Sequence, residues 1–220
     1  MKKLFVMIAM MLPMAVMAQD EKDPTVSIPQ EMKTFMMVSE LSNYGYANKD
    51  ALSLIQAARL SKQTGFTQTP MTKTETSGQQ NENKGTKHGQ LTIEPEKLLD
   101  DAKQMAGNDG VLLALIDDVK SNVRGAVGGP KYHEDRVLAN DYDVYEVTFR
   151  ANELARVVVN GDCDTDLDLY IYDNNWNFIT KDNDYLDLCI CTWTPRWTGK
   201  FYIKIVNLGN VYNKYVLQTN

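Results

Sequence analysis

Between Asn160 and Asp173 the chain reads NGDCDTDLDLYIYD, which sets Asp162, Asp164, Asp166 and Asp168 at alternate positions. Carboxylates spaced in this way, joined by Asp173, Asp182 and Asp184 from neighbouring turns, are candidate calcium ligands, since calcium takes roughly six to eight oxygens from flexible loops. Asp162, Asp164, Asp166 and Asp173 even fall at positions one, three, five and twelve of a helical-hand loop. Leu167, however, replaces its turn glycine, Asp173 its long bidentate glutamate, and strand follows in place of helix. The competing reading is a solvated acidic face whose aspartates cap turns and deter edge-to-edge pairing of strands. In the strand that follows, Leu167, Leu169 and Ile171 share one face and Asp166, Asp168, Tyr170 and Tyr172 the other. Tyr170, Tyr172, Trp176 and Trp197 form a candidate aromatic surface for stacking on sugars or gripping a protein strand, against the plainer alternative of core or cross-strand packing.

Other chemistry is sparsely provided for. The cysteines are Cys163, Cys189 and Cys191. Cys189 and Cys191, two apart in an expected strand, share a face and are poorly placed to bridge each other. A disulfide from Cys163 to Cys189 or Cys191 stands beside the alternative of buried, unpaired thiols. His88 lies in a polar tract and His133 at the edge of the strand region, so a histidine-based hydrolase has little to work with. There is no HExxH, no GxSxG and no phosphate loop. Paired aspartates can hydrolyse glycosides, but only in a cleft and at a set separation. The expectation is a protein that is not an enzyme.

The elements that must position these residues begin after residue 18. Lys2 and Lys3 precede an apolar run from Leu4 to Met17 that ends in Val16-Met17-Ala18, the pattern of a secretory signal peptide cleaved after Ala18. The run is shorter than the roughly 20 residues of a membrane span. No later stretch would span a bilayer, so the protein is expected to be exported, periplasmic or secreted. Loss of two lysines and no acid on cleavage moves the formal charge from −6 to −8, which argues against nucleic acid. Residues 19–66 carry two helical stripes, one through Met32, Phe35, Met36, Ser39 and Leu41 with a turn at Asn43-Tyr44-Gly45, one from near Asn48 or Asp50 through Leu60, together a helical hairpin. Residues 67–92, poor in large apolar groups, read as a flexible linker or loop. Residues 93–123 read as a helical pair starting at Pro95, and Arg124 to Pro130 as a boundary. Eight short strands follow in residues 131–220, the mark of an antiparallel β-sandwich of jelly-roll type. The fold class is therefore α+β, a helical segment followed by a sandwich.

GDCDTDLDLYIYDNNWNFI, from Gly161 to Ile179, and CTWTPRWTGKFYIKIVNLGNVYNKYVLQTN, from Cys191 to Asn220, resemble the bacterial pre-peptidase C-terminal domain. The resemblance covers about residues 131–220 and leaves the helices and linker outside. It implies a small sandwich carried by a secreted protein, and some related sandwiches bind calcium or an extracellular polymer. No peptidase stands upstream here. Together these readings give an exported, non-catalytic binding or accessory protein, with calcium as a candidate ligand of its acidic loops, whose partner is an extracellular or envelope protein or polysaccharide. The alternative is a structural or chaperone-like envelope protein whose helices hold the partner.

Overall fold

A computed structural model describes residues 27–77, 85–121 and 129–220. The expected signal peptide and most of the glycine-rich boundary lie outside these residues. The first helix, α1 (Gln30–Asn48), turns Met32, Phe35 and Val38 inward. It does not stop at Asn43-Tyr44-Gly45 but runs through them to Lys49, whose left-handed φ of 52° ends it. Gly45 serves packing, because a Cβ there would come 2.5 Å from Leu54 of the next helix. That helix, α2 (Ala51–Thr64), is capped by Asp50, which accepts from Leu52 N, and closed by Gly65. Pro95 opens α3 (Pro95–Ala106), and Asp109 caps α4 (Gly110–Ser121) through Val111 N and Leu112 N.

Two five-stranded sheets form the rest. Sheet I takes β1 (Thr67–Gln68), β3 (Lys131–Val137), β10 (Asn213–Thr219), β5 (Ala155–Gly161) and β8 (Leu188–Trp193) in that order. Sheet II takes β2 (Lys73–Thr76), β4 (Asp141–Phe149), β9 (Gly199–Asn207), β6 (Leu167–Asp173) and β7 (Phe178–Asp182). Without β1 and β2 the order is 3-10-5-8 against 4-9-6-7, the double Greek key of a jelly roll, and every pairing among these eight strands is antiparallel. Leu167, Leu169 and Ile171 meet Val157, Val159, Phe201, Ile203 and Ile205 between the sheets, as their alternation requires.

The helices are not a separate domain. Their buried faces share one core with Tyr132, Val158 and Val216 on the outer face of sheet I, and Leu188 and Ile190 pack against it. Strand β5, covered on both sides, is buried at every residue. Residues 67–92, expected as a flexible linker or loop, do structural work wherever they are described. Thr67–Gln68 adds a parallel strand to the edge of sheet I and Lys73–Thr76 an antiparallel one to the edge of sheet II. Between those strands Met71 N donates to His133 Nδ1 at 3.1 Å. Lys73 Nζ lies 3.2 Å from Asp135 and 2.9 Å from Asp143. Beneath it Tyr215 donates to Asp143 at 2.8 Å and meets the Tyr145 hydroxyl at 2.5 Å, and His133 Nε2 lies 3.2 Å from that same hydroxyl. Further on, Leu91 and Ile93 are buried in the helical core, and Ser61 donates to Ile93 O at 2.6 Å.

One core spanning helices and sheet predicts one unfolding transition for residues 27–220 in calorimetry. Residues 131–220 alone, with Tyr132, Val158 and Val216 stripped of cover, should give no cooperative transition. Leu98→Ala, at a fully buried helical position, should lower the stability of the whole by about 2–5 kcal/mol.

Candidate functional site

The expected calcium ligands are distributed among separate turns. Lys87 pairs with Asp162 and stands 2.7 Å from Asp164, its ammonium taking the place between them that a cation would take. Asp162 also accepts from Lys214 N at 2.8 Å, and Asp164 from His88 N at 2.8 Å. Burial raises the Asp162 carboxyl despite Lys87. Burial also pushes Asp164 up, but hydrogen bonds from Lys87 and the Gly89 and His88 amides outweigh it and leave it lowered. Asp173 caps its own turn through Asn175 N and Asn177 N, both at 2.8 Å. Asp182 accepts from Ile190 N and Asp184 from Leu186 N, each at 2.9 Å. Asp168 accepts the Tyr170 hydroxyl at 2.9 Å. Asp166 has one enclosed carboxylate oxygen without a partner, and burial and then Asp168 and Asp184 raise its carboxyl. Among the described residues no three His, Cys, Asp or Glu side chains converge as a metal's ligands would.

Asp187, which the spacing argument passed over, holds this end of the sandwich. Its carboxylate accepts from Cys163 N at 2.6 Å and from Asn213 Nδ2 at 3.1 Å. Gly161 must be glycine, since a Cβ would fall 2.2 Å from that carboxylate. Burial, with Asp162 nearby, pushes the Asp187 carboxyl up to about 7. None of the cysteines forms a disulfide. Cys163 is exposed in the β5–β6 loop, where Asn43 of α1 reaches its Sγ at 3.3 Å. Cys189 and Cys191 alternate into the inter-sheet core, with Sγ of Cys189 donating to Leu167 O at 3.0 Å. Of the two readings the structure has the unpaired thiols, those of Cys189 and Cys191 buried. His133 is enclosed among Met71, Asp135 and Tyr145, while the contacts of Cys163 are with Asn43 and Asp187, so the pair does not form a thiol–imidazole site. An open cavity of about 350 Å³ lies at the strand ends beside Phe149, Arg150, Glu153 and Asn220, and none of the candidate residues lines it.

The aromatic candidates are gathered more closely. Antiparallel register puts Tyr172 beside Tyr202 of β9 and Phe178 of β7, on the face of sheet II away from the core. Trp176 lies flat on Tyr202, with ring centroids 4.4 Å apart and planes 13° apart, and also approaches Tyr172 at 5.5 Å. A left-handed φ of 61° at Trp176 and its amide bond to Asp173 O fold the β6–β7 turn so that the indole reaches back over the sheet. Trp176 and Phe178 keep 45% and 55% of their surface exposed, so this is not a buried cluster. Tyr170 stands on the same face. Trp197 does not join it but stacks on Phe201 at 5.7 Å, at the end of the inter-sheet core. Phe178 and Tyr202 were missing from the expected surface, although their strand phase could have placed them there.

Lys87→Met should cost about 3–5 kcal/mol in denaturant unfolding, because it strands a buried carboxylate. Lys97→Met, which breaks only the exposed pair with Asp101, should cost less than about 1 kcal/mol. Carbon NMR of the Asp187 carboxyl should show a midpoint near pH 7. Since the folded value is raised, the native state binds the extra proton, and the penalty from Asp187 is absent below its unfolded value of about 4 and complete above about 7.

No family model matches the chain, and no curated protein matches it. Among solved structures it is similar to the pre-peptidase C-terminal domain of collagenase from Bacillus anthracis, at 13% identity and a TM-score of 0.37, over 41% of this chain and 89% of that one. It is also similar to PliG, a periplasmic lysozyme inhibitor of g-type lysozyme. For the Aeromonas hydrophila protein the values are 11%, 0.30, and 40% and 84% coverage, and for the Salmonella Typhimurium protein 15%, 0.28, and 40% and 89%. Likeness of this size assigns neither family nor function, and the jelly-roll assignment rests on the strand order itself.

Proposed function

We propose that this protein is an exported, non-catalytic binding module whose working surface is the open face of sheet II. The observation that carries this reading is the contrast between the two outer faces. Sheet I spends its outer face on the helices, whereas sheet II presents Trp176, Phe178, Tyr172 and Tyr202 half-exposed and already held in place. Rigid aromatics on a firm sheet give up little side-chain freedom on binding. The ligand belongs to the extracellular or envelope polymers, polysaccharide or protein. The helices are less suited to hold a partner, because Met32, Phe35, Val38, Leu54 and Leu98 are consumed in the core and the apolar residues left exposed on them, Met37, Tyr44, Leu52 and Val111, are spread over three helices. No described helix is long and apolar enough to cross a membrane. A non-catalytic role agrees with the Cys163 thiol, which, although the residue is exposed, is pushed up to about 11 by partial desolvation and then by Asp187 and Asp162.

Two measurements test the reading. In affinity electrophoresis through gels containing soluble polysaccharides, the protein should be retarded by at least one, and Trp176→Ala with Phe178→Ala should abolish the retardation. The same pair should lower stability by about 1 kcal/mol or less, as surface positions do. Retardation unchanged in that variant would move the site elsewhere. In the second, calcium at millimolar concentration and excess chelator should give the same melting temperature, since Lys87 already serves Asp162 and Asp164. A rise with calcium would return the acidic loops to the centre of the function.

A further inference from the structure

Two rows of side chains cross the open face of sheet II. In one, register sets Lys204 of β9, Tyr170 of β6 and Lys181 of β7 side by side. In the other, two residues along, stand Tyr202, Tyr172 and Phe178, with Trp176 stacked over Tyr202. Strand geometry separates the rows by about 7 Å, comparable to the length of a sugar ring. The chain as a whole is acidic, at −6, and of the carboxylates on and beside this face Asp166 keeps one oxygen without a partner while others are engaged. Glu146 is held by Lys200 at 2.9 Å, and Asp168 accepts the Tyr170 hydroxyl at 2.9 Å. Lys181 and Lys204 have no carboxylate within ion-pair distance among the described residues, and the Lys204 ammonium sits instead 3.9 Å from the centre of the Tyr142 ring. The face therefore sets two lysines without an ion-pair partner among the described residues beside a row of aromatic planes.

We infer that the open face of sheet II binds an acidic polysaccharide, its rings stacked on Trp176 and Phe178 and its carboxylates set against Lys181 and Lys204. This rests on the binding-module reading above and adds the ligand class. A neutral glycan would leave the lysines unused. An acidic peptide would draw on a free strand edge for its main-chain bonds, and the aromatic row lies mostly on β6 and β9, whose backbones are paired on both sides.

The test is affinity electrophoresis of the whole secreted chain in polygalacturonate, alginate and hyaluronate, with methyl-esterified polygalacturonate as the uncharged control and poly-glutamate as the peptide control. Variants are Trp176→Ala and the double variant Lys181→Gln with Lys204→Gln. The expected result is retardation by at least one acidic polysaccharide, weakened roughly five- to tenfold in the lysine variant, as two surface ion pairs allow. It should weaken also with salt. Trp176→Ala should lose about tenfold on the same polymer. Equal binding of acid and ester, or an unaffected lysine variant, overturns the acidic class while leaving the face as the site. Binding unaffected by Trp176→Ala overturns the face as well. Poly-glutamate bound as tightly as any of the glycans makes a peptide the occupant and overturns the inference. Retardation by none of the three acidic glycans overturns it too, and retardation by a neutral glycan would then preserve the face alone.

Discussion

Burial of the outer face of sheet I against the helical core is the constraint on which the rest of the molecule depends. Val158 and Val216 belong to the helical core and not to the inter-sheet one, sharing it with Phe35, Leu54, Leu98 and Leu99. A two-sheet sandwich normally solvates both outer faces, so valines there would be a standing liability without a cover. With the helices in place the molecule becomes three layers, and its two cores share sheet I as a common wall. Among the described residues sheet II keeps the free face, where aromatics and lysines stand beside Val144 and Val206.

The sandwich also has edges to protect, and residues 67–77 do this for both sheets at once. Crossing from sheet I to sheet II, the segment adds a short strand to each edge and lays Lys73 over Asp135 and Asp143. The buried hydroxyls of Tyr145 and Tyr215 carry this polar seam inward, so the edge is closed by hydrogen bonds and charge where apolar packing would leave backbone groups exposed. At the end of the sandwich Lys87 does the corresponding work for Asp162 and Asp164. In both places a lysine from the polar tract neutralises aspartates of the sheets. These contacts join the acidic loops and the sheet edge to the polar tract.

Much of this was legible in the sequence. The eight strands follow their alternation and their Asn, Asp and Gly turns, and the phase of Leu167, Leu169 and Ile171 is as the period of two requires. Helix capping by Asp50 and the start at Pro95 were likewise local signals. What escaped was set by partners distant in the chain. Thr67–Gln68 and Lys73–Thr76 lie on sheet edges with mostly exposed side chains, so no alternation marks them as strand. Gly45 resembled a turn because its role, giving Leu54 room, is visible only once α2 is packed. For the aspartates, spacing along a strand says nothing about which turn each carboxylate caps. Trp197 was grouped with Trp176 by residue type, whereas ring contacts assign it to Phe201.

The central claim is that sheet II, left open because sheet I is covered, is the surface the protein uses. Backbone amide and indole NMR shifts, followed while a retarding polysaccharide is titrated into the uniformly labelled protein, test it most directly. The account predicts that the largest changes fall on Tyr172, Trp176, Phe178 and Tyr202 and their neighbours on β6, β7 and β9, with α1–α4 unmoved. Changes centred on the helices, or on the exposed Tyr185 and Leu186 of the β7–β8 loop, would contradict it.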